Sequence, residues 1–223
     1  MIGTGNSIGI GSGNGLLSTT WGAGEELFKN DYYVYILEQT GGDFLRDQID
    51  EEMWINPSEG RNLYYWDGTL EPKPYSGNSF YNTKSSGWVS FQTTSQAPSL
   101  GWSGGGFNVN ASNSIGFTPF AGFVFHIALK SAQTYDFTIK LLGTNSTEAS
   151  IVFGSSAGAG IDYVLPRDNK WHAFEIPLSF FTGQGLNFGT ITDQNYLVFE
   201  LGSAAGNGLE VDATFFYNPN ASR

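Results

Sequence analysis

At 223 residues, with 16% aromatic residues, 30 Gly and only 14% charged residues, the chain has the size and composition of one large β domain, with two small ones as the alternative. A formal net charge of −11 and ten Lys and Arg that form no stripe exclude a nucleic-acid surface and disfavour an anionic membrane; neutral ligands, or a calcium ion held by carboxylates, stay compatible. The absence of cysteine removes disulfides, thiolate metal sites and cysteine nucleophiles.

Residues 1–24 are rich in Gly, Ser, Asn and Thr and read as a flexible leader or linker, with an early strand bent at its glycines as the alternative. Met1 to Leu17 lacks the basic and apolar blocks of a signal peptide, so an exported form would carry its targeting segment upstream. No apolar run of about 18 residues is present, and no membrane-spanning helix is expected. Residues 25–223 are expected to form a single domain.

Strand candidates follow at short intervals. Tyr32–Leu37 is aromatic and β-branched, while Asp43–Glu52 suits a short helical turn with Asp43 as its N-cap. Leu63–Trp66 ends at the turn signal Asp67-Gly68. Glu71-Pro72-Lys73-Pro74 is expected to be a loop, because proline cannot donate to a ladder. Trp88–Thr93 alternates cleanly, and Gly101–Asn110 carries three glycines before Phe107 and Val109. Phe123–Leu129, Tyr135–Leu141, Ile151–Phe153, Tyr163–Leu165, Trp171–Leu178, Tyr196–Leu201 and Leu209–Tyr217 complete the series. Many short strands with regular turn signals predict an all-β fold, an antiparallel β-sandwich. No long amphipathic helix and no fixed-period repeat compete with that reading.

The alternation also assigns faces. Phe123, Phe125, Ile127 and Leu129 point inward, with His126 and Lys130 opposite. Phe137, Ile139 and Leu141 oppose Asp136, Thr138 and Lys140, and Leu197, Phe199 and Leu201 oppose Tyr196, Val198 and Glu200. Leu209, Val211, Ala213 and Phe215 are expected inside, with Glu210, Asp212, Thr214 and Phe216 outside. In Trp171–Leu178, Phe174, Ile176 and Leu178 pack inward, Trp171 is a covering residue, and Pro177 marks an edge or strand end.

The outer faces are thus polar but dotted with aromatics, which suits a sugar: C–H faces stack on rings while hydroxyls meet polar side chains. Trp88 with Ser90 and Gln92 is one such group; Tyr65, Trp66, Tyr75 and Trp102 lie in or beside loops and could rim a groove. The plain alternative for each is an aromatic that covers an open core edge.

Catalytic patterns are sparse. The two histidines, His126 and His172, lie far apart, outside any metal motif and away from a nucleophile elbow, and read as structural. Gly101–Gly106 lacks the lysine and following helix of a phosphate loop. A glycosidase needs two carboxylates across the scissile bond. Glu210 and Asp212, two apart on one strand, would stand roughly 6–7 Å apart, a spacing any such pair gives. A structural calcium could draw on Glu38, Asp43, Asp50 and Asp212, although no Asp-x-Asp-x-Asp-Gly loop is present. No other cofactor is expected.

Several stretches, taken in order, carry a resemblance: 62–69 (NLYYWDGT), 87–90 (GWVS), 101–107 (GWSGGGF), 171–178 (WHAFEIPL) and 211–216 (VDATFF). Together they resemble cell-surface or secreted bacterial lipoproteins of polysaccharide-utilisation systems, over about residues 30–217. The resemblance implies a jelly-roll domain of the carbohydrate-binding-module or galactose-binding kind. It implies capture of a polysaccharide or oligosaccharide beside outer-membrane importers, hydrolases or other surface proteins. It also implies an anchor on a lipidated cysteine, which these residues do not include. The expected function is non-catalytic glycan binding, with stacking by Trp66, Trp88 and Trp102 and hydrogen bonds from Gln92, Asn108 and Asp212. An adhesive surface domain that binds protein, and a glycoside hydrolase, are the alternatives.

Overall fold

The computed structural model describes residues 61–73, 80, 89–117 and 124–217. The leader, the Tyr32–Leu37 strand and the Asp43–Glu52 turn expected from sequence lie outside them, as do Tyr75, Trp88, Glu38, Asp43 and Asp50.

Among the described residues, eleven strands pack as two sheets. The first six are β1 (Arg61–Tyr65), β2 (Leu70–Lys73), β3 (Val89–Thr93), β4 (Gly104–Phe117), β5 (Val124–Lys130) and β6 (Phe137–Leu142). The rest are β7 (Glu148–Gly154), β8 (Tyr163–Val164), β9 (His172–Pro177), β10 (Gly189–Glu200) and β11 (Gly208–Tyr217). One sheet has six strands in the order β1-β4-β10-β6-β7-β8, and the other has five in the order β2-β3-β11-β5-β9. All pairs are antiparallel except β7 with the short β8, which run parallel. The domain is an antiparallel β-sandwich of the jelly-roll kind, with short helices α1 (Gln96–Leu100) and α2 (Leu178–Gly183) at its ends.

Alternation places the core as the sequence predicts. In β6 buried Phe137, Ile139 and Leu141 alternate with half-buried Thr138, Lys140 and Leu142. Opposite them in the ladder stand Leu197 and Phe199 of β10, both fully buried. Rings join the two sheets directly: Phe91 of β3 meets Phe199 of β10 at 4.8 Å, and Phe153 of β7 meets Phe174 of β9 edge-on at 5.0 Å. Most of the described phenylalanines therefore serve the core, where each contributes on the order of 1.5–3 kcal/mol by leaving water.

Three expectations change. Residues 71–73, expected as a loop, are part of β2, an edge strand. Thr94 N–H bonds the Thr69 carbonyl, so positions 69, 71 and 73 face β3 while the Pro72 nitrogen turns to the open edge, where no donor is needed. Phe216 and Tyr196, both expected outside, are fully buried, Phe216 meeting Phe125 at 5.0 Å and Tyr196 meeting Phe107 at 6.2 Å. Register shifts are the reason, one between Asp212 and Phe215 and one between Asn195 and Leu197: one extra residue in a strand reverses which face the side chains take.

The third change concerns the outer face of the five-stranded sheet, which is not open at its centre. His126 and Asp212 are 0% and 1% exposed. Phe80 covers them: its ring lies 5.8 Å from His126 and 6.5 Å from Trp171, and its backbone N–H donates to Asp212 Oδ2 at 2.7 Å. Trp171, expected as a covering residue, is itself fully buried, with Lys130 Nζ 5.0 Å over its ring.

Candidate functional site

The residues singled out by sequence separate onto two faces of the sandwich. Gln92 is half-buried on the outer face of the five-stranded sheet, opposite Glu71 and Gly208. Asp212 lies on that same face but is sealed under Phe80, so its expected contact with a ligand is corrected: the carboxylate already accepts a backbone amide, without which its burial would be costly. Glu210 of the suggested carboxylate pair forms an ion pair with Lys130. Asp212 is likewise withdrawn from the calcium set. Among the described residues no group of three His, Asp or Glu is placed to hold a metal ion.

Trp66, Trp102 and Asn108 belong to the outer side of the six-stranded sheet. Gly104 and Gly106 alternate with inward Phe107 in β4, so Gly104, Gly106 and Asn108 face out. A Cβ on Gly104 would stand 2.9 Å from Trp66 Cε3 and 3.3 Å from Trp102 Cζ3. Both indoles therefore converge on the bare backbone of one glycine. Trp66 is half-buried and Trp102 is 37% exposed. Asn108 lies four residues along β4, about 14 Å from Gly104 by strand geometry.

The backbone beneath the two rings is held from several sides. Trp66 opens a tight turn in which Asp67 (φ 51°) and Gly68 (φ 65°) are both left-handed, and Thr69 N–H closes it on the Trp66 carbonyl at 2.9 Å. This is the Asp-Gly signal read from sequence, and it carries the chain from β1 of one sheet to β2 of the other. The fully buried Thr69 hydroxyl donates to the Trp66 carbonyl at 2.7 Å and accepts Gly104 N–H at 3.1 Å. Trp102 follows Gly101, the left-handed C-cap of α1 (φ 80°), and precedes Ser103, whose buried hydroxyl donates to the Gly202 carbonyl at 2.6 Å. The loop that supplies Gly202 is tied in turn to β3, since Thr93 Oγ1 donates to the Ala204 carbonyl at 2.6 Å and accepts Asn207 N–H at 2.8 Å.

Beside the rings stands a charged pair that sequence reading did not select. Glu200 of β10 is the ladder partner of Gly104, and it faces out. Lys140 of β6 stands diagonally from it across Thr138 and Val198, with Nζ 2.8 Å from Glu200 Oε1. Alternation had already turned both side chains outward; only the strand order, which no local pattern encodes, puts Glu200 next to Gly104 and Lys140 one strand beyond. Thr69 gave no signal beyond a residue after a turn, and Gly104 none beyond a glycine run.

No family model matches this sequence, and no curated protein matches it. Among solved structures, the chain is similar to the family 11 carbohydrate-binding module of a cellulosomal cellulase from Clostridium thermocellum. That match has 14% identity and a TM-score of 0.42, over 83% of this chain and 95% of that one. It is also similar to SGBP-B of a xyloglucan utilization locus in Bacteroides uniformis, at 14% identity and a TM-score of 0.38, over 70% of this chain and 47% of that one. A third match is the enzymatically active domain of tailspike protein 4 of bacteriophage CBA120, at 14% identity and a TM-score of 0.38; this chain spans 20% of that length. With TM-scores under 0.5, none of these likenesses bears on the site.

Proposed function

We propose that this protein binds a glycan without cleaving it, through the Trp66–Trp102 platform at the Gly104 corner of the six-stranded sheet. The observation that carries this reading is the convergence of two indoles, one of them 37% exposed, on a glycine whose missing side chain leaves room for both. Two rigidly held rings with polar side chains beside them offer a sugar its stacking surface and its hydrogen bonds together. Glu200 lies beside the glycine that both rings cover, Lys140 is paired with it one strand further on, and Asn108 lies further along the same face. A non-catalytic role is supported by Glu210 and Asp212, the carboxylates spaced for hydrolysis, which are engaged with Lys130 and the Phe80 amide. The sequence resemblance to lipoproteins of polysaccharide-utilisation systems supports a bacterial surface as the setting of this activity, with importers and hydrolases as proposed partners.

The test is a screen of soluble neutral and acidic oligosaccharides by calorimetry and tryptophan fluorescence, repeated with Trp66→Ala and Trp102→Ala. At least one glycan binds the natural sequence, and each substitution weakens it by about tenfold or more, roughly 1.4 kcal/mol. Unchanged affinity in both variants would move the site elsewhere. Silence across the whole panel would end the glycan reading.

A further inference from the structure

We infer that the platform selects neutral glycans over acidic ones, and that the Glu200–Lys140 ion pair sets this selectivity; the inference rests on the glycan-binding reading above. Glu200 is the strand neighbour of Gly104, about 5 Å away across the ladder, and its side chain is 41% exposed on the face that carries the rings. A sugar stacked on either indole comes within reach of this carboxylate. Lys140 is the cation at hand, and its ammonium is already committed to Glu200 at 2.8 Å. Among the described residues, the outward positions of β6, β7 and β10 set that one lysine against Glu148 and Glu200, and the exposed Asp67 adds a further carboxylate next to Trp66. Among the described residues, a uronic acid would therefore meet the Glu200 and Asp67 carboxylates and no uncommitted cation, on a protein whose net charge is −11.

A neutral pyranose meets the opposite situation. The Glu200 carboxylate has acceptor sites left for hydroxyl protons, and the Lys140 ammonium has protons left for a hydroxyl oxygen. Side by side, they match two neighbouring hydroxyls on one ring, one donating and one accepting. Hydrogen bonds to charged groups are about twice as strong as neutral ones, so the pair rewards a hydroxylated ring where it repels a carboxylated one.

The experiment measures affinities of the full chain for neutral hexasaccharides (cello-, laminari-, manno- and xylo-series) and for hexagalacturonate and hexamannuronate, at low and moderate salt. The natural sequence binds a neutral probe at least tenfold more tightly than either acidic one. Glu200→Gln frees the Lys140 charge: neutral affinity falls about tenfold, acidic affinity rises, and the acidic gain fades with salt. Lys140→Gln lowers neutral affinity and leaves the acidic probes rejected. Thermal melts confirm that both variants fold. An acidic probe that binds the natural sequence as tightly as the best neutral one overturns the inference, and so does a neutral-to-acidic ratio unmoved by Glu200→Gln. If the tryptophan variants abolish neutral binding while Glu200→Gln leaves the ratio alone, only the selectivity claim fails. If no probe binds, or tryptophan removal changes nothing, the glycan site itself fails and this inference with it.

Discussion

A Cβ placed on Gly104 would press on Trp66 and Trp102 at 2.9 and 3.3 Å, closer than side-chain carbons ordinarily come. Gly104→Ala is expected to shift the Trp66 ring and weaken glycan binding several-fold, and Gly104→Leu to abolish it, with the melting temperature following separately. Thr69 acts one step further back. Thr69→Val keeps the shape but removes the hydroxyl that bonds the Trp66 carbonyl and the Gly104 amide, leaving a buried N–H unpaired. A loss of about 1–3 kcal/mol is expected in chemical denaturation, together with altered tryptophan emission. A third residue-scale prediction concerns acid. His172 Nε2 lies 2.8 Å from Asp168 Oδ1, and this hydrogen bond, helped by the Lys170 amide, holds the Asp168 carboxyl below its ordinary range. A carboxyl with a depressed folded-state pKa stabilises the fold above its unfolded value, near pH 4, and that contribution disappears as pH falls through the folded value. Asp168 is 41% exposed and solvent screens it, so the effect is small. Asp168→Asn should lower the melting temperature slightly at neutral pH and flatten the acid limb, so that the two profiles meet at low pH.

Strands with a period of two were legible where one face is apolar and the ladder is regular, as in β6, because burial alone fixes such a register. What escaped local reading were devices that act between strands. The bulge in β11 moves Phe216 into the core, and no residue type in 212–215 announces it. Pro72 was misleading because its meaning depends on whether β2 lies at an edge, which is a property of the sheet. The same holds for β7, whose outer edge is closed by side chains as well as by β8. Gln184 accepts the Ser150 N–H and donates to the Ser150 carbonyl, both at 3.0 Å, as a strand would. Asp162 does likewise for Val152, its Oδ2 accepting at 2.8 Å and its own N–H donating at 3.0 Å. Closing an edge in this way protects it from pairing with another chain. Asp162→Ala should cost about 1 kcal/mol and lower the melting temperature by roughly 2–4 °C. Light scattering on prolonged incubation should also show more self-association than for the natural sequence.

For the whole molecule, composition was a sound guide to the interior and a partial one to the surface. Aromatic richness signalled a thick core, and Phe199, in contact with Phe91 and Phe107, sits at its centre. Phe199→Ala is expected to destabilise the sandwich by about 3–5 kcal/mol in denaturant titration. The candidate site was half legible: Trp66 and Trp102 stood out as loop-side tryptophans, but their meeting at Gly104 depends on the chain crossing between sheets at Thr69. Gln92 and Asp212 were drawn to the same function by their residue types, and the fold puts them on the opposite side. That crossing also has a mechanical meaning. Trp66 is the last residue before the passage from β1 to β2, and Thr69 fastens the turn to β4 while its carbonyl holds Thr94 beyond the end of β3. A tug on the Trp66 indole is therefore shared by both sheets at once, loading their ladders together instead of peeling one edge strand, so the corner should hold under shear that would unzip a ring mounted on a single outer strand.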